Sequence, residues 1–235
     1  MAERRPLVIV GGNLVELPPG DTVPVGTVLA AGTSVGQVLK WNGTAWAAGT
    51  DDTGGGGGGT TTAGRTMIPI MAGSMQPSAS GGSGVLTNIA TSANQPDVLT
   101  LNFNQTTQQH AQFSIPFPKR WNRGTITARF RWSHASTTTN FGCVWGIQAV
   151  AVSDNEAINQ AYGTAVEVTD TGGTANCLYV SPETSALTVA GTPADGDTVF
   201  FRVYRKAADA ADTLAIVSRL HGVDLFITTN AENDA

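Results

Sequence analysis

Gly54 to Gly59 form an unbroken run of six glycines, and no other stretch limits the folding of this chain as sharply. Glycine lacks a Cβ and loses more backbone entropy on ordering than any other residue, so the run favours neither helix nor strand. It reads as a connector or a packed, extended crossover. Thr60 to Thr62 carry the low-complexity stretch on to Gly64. The chain therefore parts into a front piece (1–53), a linker (54–64) and a body (65–235) of the size of one domain.

Composition narrows the class of body. Hydrophobic residues make up 41%, enough for a core, while charged residues make up 13%, about half the usual share. With 28 glycines as well, the pattern is one of short strands joined by tight turns. The net charge of −5 disfavours nucleic acid as a general partner, because phosphate binding needs a basic surface. No apolar stretch approaches the roughly 20 residues of a membrane-spanning helix. Met1 to Arg5 are followed by too short an apolar segment, Leu7 to Val10, for a secretory signal, so assembly in a cytoplasm is expected. Cys143 and Cys177 have no CxxC spacing and are expected as two buried thiols.

The front piece carries paired strand signals. Leu7 to Val10 and Leu14 to Leu17 flank Gly11-Gly12-Asn13, and Pro18-Pro19-Gly20 stops the second run. Gln37 to Trp41 and Thr44 to Trp46 flank Asn42-Gly43, the favoured two-residue hairpin turn. A turn of that kind sets Trp41 opposite Thr44 and Leu39 opposite Trp46, with Leu39, Trp41, Thr44 and Trp46 on one face. An isolated hairpin is marginal in water, and about 50 residues of this kind bury little surface by themselves. Leu7, Ile9, Leu14, Leu17, Leu39, Trp41 and Trp46 are therefore the candidate contacts to identical subunits or to a larger particle.

On these residues, the stretches RRPLVIVGGNLVELPPGDTVP and GQVLKWNGTAWAAGTD resemble the N-terminal attachment regions of tailed-phage fibre and spike proteins. Such regions place a short strand pair, a Pro-Pro-Gly-Asp phrase and Trp-Asn-Gly hairpin units ahead of a Gly-rich stretch. The resemblance implies a virion structural protein, commonly a homotrimer, anchored by its N-terminus with its C-terminus outward.

In the body, strand candidates follow at short intervals. Met67 to Met71 opens it; Val98 to Phe103, Ala111 to Phe117, Val166 to Thr169, Leu178 to Val180 and Val199 to Tyr204 are further strands. Thr125 to Trp132 alternates, with Ile126, Ala128, Phe130 and Trp132 inward and Arg129 and Arg131 outward. Phe141 to Val152 is apolar on both faces apart from Gln148, as befits a central strand. Leu214 to Thr228 changes phase near His221-Gly222, which predicts a bulge or bend. Ser153 to Glu156 matches a capping box and predicts a short helix through Ile158 and Tyr162 to Gly163. The expected fold is all-β: a strand-and-hairpin attachment arm, a Gly-rich linker, and a jelly-roll-like β-sandwich of about eight strands with one short helix. Pro118 to Trp132, Val144 to Thr171 and Ser218 to Ala235 also resemble C-terminal domains of phage and prophage structural proteins. That likeness implies a virion component with no established chemistry.

No catalytic, cofactor or metal constellation stands out. His110, His134 and His221 are scattered without a recognisable nucleophile or metal partner, and HExxH, CxxC and GxSxG are absent. The glycine run lacks the Lys-Ser/Thr of a phosphate loop. Asp195-Gly196-Asp197 reads as a turn ahead of a strand rather than a Ca²⁺ site. Lys119, Arg120, Arg123, Arg129 and Arg131 read as a solvent face, with acids of a neighbouring subunit as the expected partners of the last two. Trp121 is the one candidate for stacking on a sugar ring, if its loop exposes it.

The expectation is a homotrimeric fibre or spike of a tailed-phage virion, held to capsid, portal or tail proteins by its front piece and displaying a sandwich for host-surface glycan. A capsid decoration or cement protein is the alternative. A glycan-cleaving tailspike is disfavoured, since such enzymes need paired carboxylates in a groove.

Overall fold

In a computed structural model of the chain, the described residues are the strand backbones at 7–10, 13–16, 37–41 and 46–50, and residues 64–136, 141–231 and 234. The chain divides into two units, residues 1–59 and 60–235.

In the first unit, β1 (Leu7–Val10) pairs antiparallel with β2 (Asn13–Glu16), setting Ile9 opposite Leu14. The hairpin of β3 (Gln37–Trp41) and β4 (Trp46–Thr50) pairs Trp41 with Trp46 and Leu39 with Ala48. This corrects the expected register, in which Leu39 faced Trp46 across a two-residue turn. Pairing Trp41 with Trp46 leaves four residues between the strands rather than two, and longer hairpin connections are common. Leu17, Asn42-Gly43 and the glycine run lie outside the described residues.

In the second unit the strands run β5 (Gly64–Met71), β6 (Gln76–Pro77), β7 (Leu86–Ile89), β8 (Val98–Phe103), β9 (Gln109–Pro116), β10 (Thr127–His134), β11 (Phe141–Val152), β12 (Val166–Gly172), β13 (Tyr179–Val180), β14 (Thr198–Arg205) and β15 (Ser218–Thr229). They make two antiparallel sheets. One is ordered β13-β10-β15-β8-β7, with β5 also pairing β15; the other is ordered β12-β11-β14-β9-β6. The architecture is a β-sandwich.

The alternation read from the sequence accounts for its filling. Ala128, Phe130 and Trp132 of β10 point inward and are fully buried, as are Trp145, Ile147, Ala149 and Ala151 of β11. Phe130 stacks on Trp145 at 5.5 Å between ring centroids, and Phe103 meets the same indole edge-on at 5.2 Å. Phe113 stacks on Phe201 at 4.8 Å. β11 lies between β12 and β14, the central placement that its two apolar faces required. Opposite Tyr204 on β14 it carries Gly146, where a Cβ would fall 2.3 Å from Tyr204 Cζ.

The expected helix after Ser153 is absent. One half of the capping box forms, Ser153 N donating to Glu156 Oε2 at 3.0 Å. The chain then cannot continue as a helix, because Asn155 sits at φ +61° and Ile158 is 79% exposed, leaving no apolar face to bury. The long strand expected from Leu214 begins only at Ser218, because a buried arginine holds the preceding segment. That residue, Arg205, is fully buried with Asp212, and its guanidinium also donates to the carbonyls of Leu214 and Ile216.

Candidate functional site

The phase change in β15 shapes the outer face of the β10-containing sheet. Arg131 pairs with Gly222 and Trp132 with Leu220, so His221 is the extra residue of a β-bulge. Ser218 and Leu220 face the core before it, and Val223, Leu225 and Ile227 after it. Without the extra residue one of these sets would face solvent. Glycine is required at 222, where a Cβ would lie 2.6 Å from the Ile70 carbonyl. Arg219, His221 and Asp224 are thereby turned to the outer face.

There they border a trough of about 770 Å³ that crosses the sheet from Leu178 to Ile89. Its floor is Ser133, Arg219, His221 and Val98; one wall is the segment 90–95, with Thr91, Ser92 and Gln95. That wall is braced from within. Thr91 N donates to Asp97 Oδ1 at 3.1 Å, Thr91 Oγ1 to the Pro96 carbonyl at 3.1 Å, and Gln95 N to the Ser92 carbonyl at 3.1 Å. Across the trough, Asn176 adopts φ +56°, its backbone N–H donates to the His134 carbonyl at 2.8 Å, and its Oδ1 accepts from Arg219 Nη1 at 3.0 Å. His221 Nε2 lies 2.8 Å from Ser133 Oγ. Burial, with a smaller contribution from the Arg219 charge, holds the His221 imidazole below its usual pKa.

A second depression of about 630 Å³ adjoins the first at Val98, Leu178 and His221. Arg131 and Asp224 lie in it, with Arg131 Nε donating to both carboxylate oxygens at 3.0 Å. Its rim is aliphatic: Met67 is 46% exposed, and Met71 and Leu178 are each 57% exposed. Beyond it, Glu183 accepts from Arg65, from Arg129 Nη2 at 3.0 Å and from Thr127 Oγ1 at 2.9 Å. These bonds, that to Arg65 foremost, hold its carboxyl down at about 2. Both guanidiniums flank the Phe226 ring, at 4.4 and 5.0 Å from its centroid.

Several expectations are settled by these positions. Arg129 and Arg131 do occupy the outer face while Phe130 and Trp132 occupy the core, but their acids are Glu183 and Asp224 of the same chain, not of a neighbour. Trp121 is 1% exposed, edge-on to Phe117 at 4.6 Å between centroids, so it offers no face to a sugar. Its apolar area is buried in the core of the sandwich instead. Cys143 is buried, and burial raises its thiol far above the usual range; Cys177 is exposed, not buried as expected. Asp195 to Asp197 form a turn, with Gly196 at φ +83°, Asp197 Oδ2 accepting from Ala194 N at 2.8 Å, and Asp195 paired with Arg123 at 3.1 Å. Among the described residues no group of three or more His, Cys, Asp or Glu is placed to hold a metal ion. Likewise among them, no helix is long and apolar enough to cross a membrane. Leu7, Ile9, Leu14, Leu39, Trp41 and Trp46 fall in β1 to β4. The trough itself was missed, because Ser133 and His221 stand 88 positions apart and only the bulge joins them.

No protein-family model matches the chain, and no curated protein matches it. Among solved structures, a family 35 carbohydrate-binding module from Clostridium thermocellum is 10% identical, with 68% of this chain and 97% of that one covered at a TM-score of 0.36. The xylan-binding module CBM15 is 15% identical, with 73% and 100% covered at 0.38. The CBM22-2 xylan-binding domain of Paenibacillus barcinonensis is 10% identical, with 68% and 98% covered at 0.40. At these scores no residue and no ligand is carried over; the sandwich is established by this chain's own strand pairing.

Proposed function

We propose that this chain is a non-catalytic, self-associating structural protein of a tailed-phage virion, assembled in the host cytoplasm, whose sandwich binds saccharide in the outer-face trough. The trough is the observation that carries the binding half of this reading. Its volume falls in the usual range for ligand sites. Hydroxyl, amide and guanidinium groups from Thr91, Ser92, Gln95, Ser133, Asn176 and Arg219 surround a floor softened by Val98 and Leu178. Sugars present hydroxyls around apolar ring faces, and such a lining complements both. The bracing of the 90–97 wall lowers the ordering entropy that binding would otherwise cost. The virion half rests on the resemblance of residues 4–24 and 36–51 to phage attachment regions and of three body segments to phage structural domains. Three copies on one anchor turn weak contacts into avid adhesion to host glycan.

A second reading is favoured by the aliphatic rim of Met67, Met71, Leu99 and Leu178. Exposed aliphatics of this kind suit a protein cover, as a fibre trimer or a capsid-clamping decoration protein would supply. Two measurements test the pair. Affinity electrophoresis of the full chain through gels cast with bacterial surface polysaccharides reads saccharide binding, and retardation by none of them overturns the first reading. Light scattering reads the assembly; a trimer supports the fibre, and a monomer at all concentrations contradicts self-association.

A further inference from the structure

We infer that the saccharide is an acidic one, its carboxylate or sulfate ester bound by Arg219, and that it enters as an internal unit of a polymer. This rests on the saccharide reading above. The outer face carries four guanidiniums, Arg65, Arg129, Arg131 and Arg219, against three carboxylates, Asp97, Glu183 and Asp224. A positive surplus there is local, since the whole chain carries −5. Among the four, one guanidinium has no carboxylate partner among the described residues. Arg65 and Arg129 share Glu183, and Arg131 holds Asp224, but the described partner of Arg219 is the neutral Asn176. An arginine fork has five N–H donors, and the bond to Asn176 uses one from Nη1. That bond holds one edge of the guanidinium, and the side chain lines the trough with donors to spare. Thr91, Ser92 and Ser133 stand around it to receive ring hydroxyls.

Polymer entry follows from what lies behind Arg219. The same side chain also borders a hollow of about 500 Å³ with Asn102, Gln105, Ile216 and Val217, and Ala135 is common to both. Arg219 thus lines both depressions, which leave room for further sugar units on either side of it.

Titration calorimetry of the full chain tests this with polygalacturonate, a sulfated galactan, and neutral galactan, xylan and dextran. Binding of either acidic polymer at least about tenfold tighter than the neutral ones, weakened by added salt, is expected; the arm that binds tells carboxylate from sulfate. Arg219→Gln is expected to lose about tenfold or more in affinity for the acidic polymer and to abolish the preference, with Arg219→Lys between the two. Galacturonic acid monomer is expected to compete poorly. An unchanged acid preference in a folded Arg219→Gln protein overturns the inference. Neutral polymers binding as tightly overturn it too, while the saccharide reading stands. Binding of no polymer overturns both.

Discussion

Replacing Arg205 by Met removes the cation from the most deeply buried ion pair among the described residues. Arg205 and Asp212 are both fully buried, with Nη2 to Oδ1 at 2.6 Å and Nε to Oδ2 at 2.9 Å. The guanidinium also donates to Ile216 O at 2.6 Å and to Leu214 O. Methionine fills much of the volume but satisfies none of these acceptors. Asp212 keeps one backbone donor, Val144 N at 3.0 Å, and its charge is then buried without a counter-ion. Breaking a buried pair from one side costs about 3–5 kcal/mol, and for a unit of this size each kcal/mol lowers Tm by roughly 2–4 °C. The expected melting point therefore falls by roughly 10 °C, read by tryptophan fluorescence. The double variant Arg205→Met/Asp212→Leu should recover part of the loss, because the orphaned charge is gone. It should not recover all of it, since two carbonyls still lack donors at about 1–3 kcal/mol each. A single-variant loss below about 1 kcal/mol, or losses that simply add, would refute the reasoning.

Gly146→Ala forces a Cβ onto the Tyr204 ring and is expected to cost about 1–3 kcal/mol in urea denaturation; an unchanged midpoint counts against the close β11–β14 packing. Acid should destabilise the sandwich in two stages. His110, His134 and His221 all have folded pKa values lowered, chiefly by burial, so the unfolded chain takes up protons first. Stability is then level above about pH 6.5 and falls below it. Glu183, held down at about 2 by Arg65, adds stability above its unfolded value that drains away as pH falls from about 4.5 toward 2. A pH titration of the urea midpoint reads both stages, and stability rising on acidification contradicts them.

The sandwich was legible because period two is local: Phe130 and Trp132 declare their face against Arg129 and Arg131 within one strand. The phase change at His221-Gly222 was equally visible. Its consequence was not, because a bulge creates a site only through partners distant in sequence, here Ser133, Asn176 and Thr91. Capping chemistry misled at Ser153, where Glu156 reaches back but Asn155 turns the chain away. The indole of Trp121 looked like a ligand platform because loop residues are usually wet, yet it is buried edge-on to Phe117, which itself packs on Phe201. The 206–217 segment looked like strand from Leu214 on, until the buried Arg205 claimed its carbonyls.

Hydrogen–deuterium exchange of the full chain, with and without a bound surface polysaccharide, locates the saccharide most directly. The account predicts slower exchange confined to residues 90–97, 174–178 and 219–221 of the outer-face trough. Protection at the opposite loops, 153–163 and 193–197, with the trough unchanged, would contradict it.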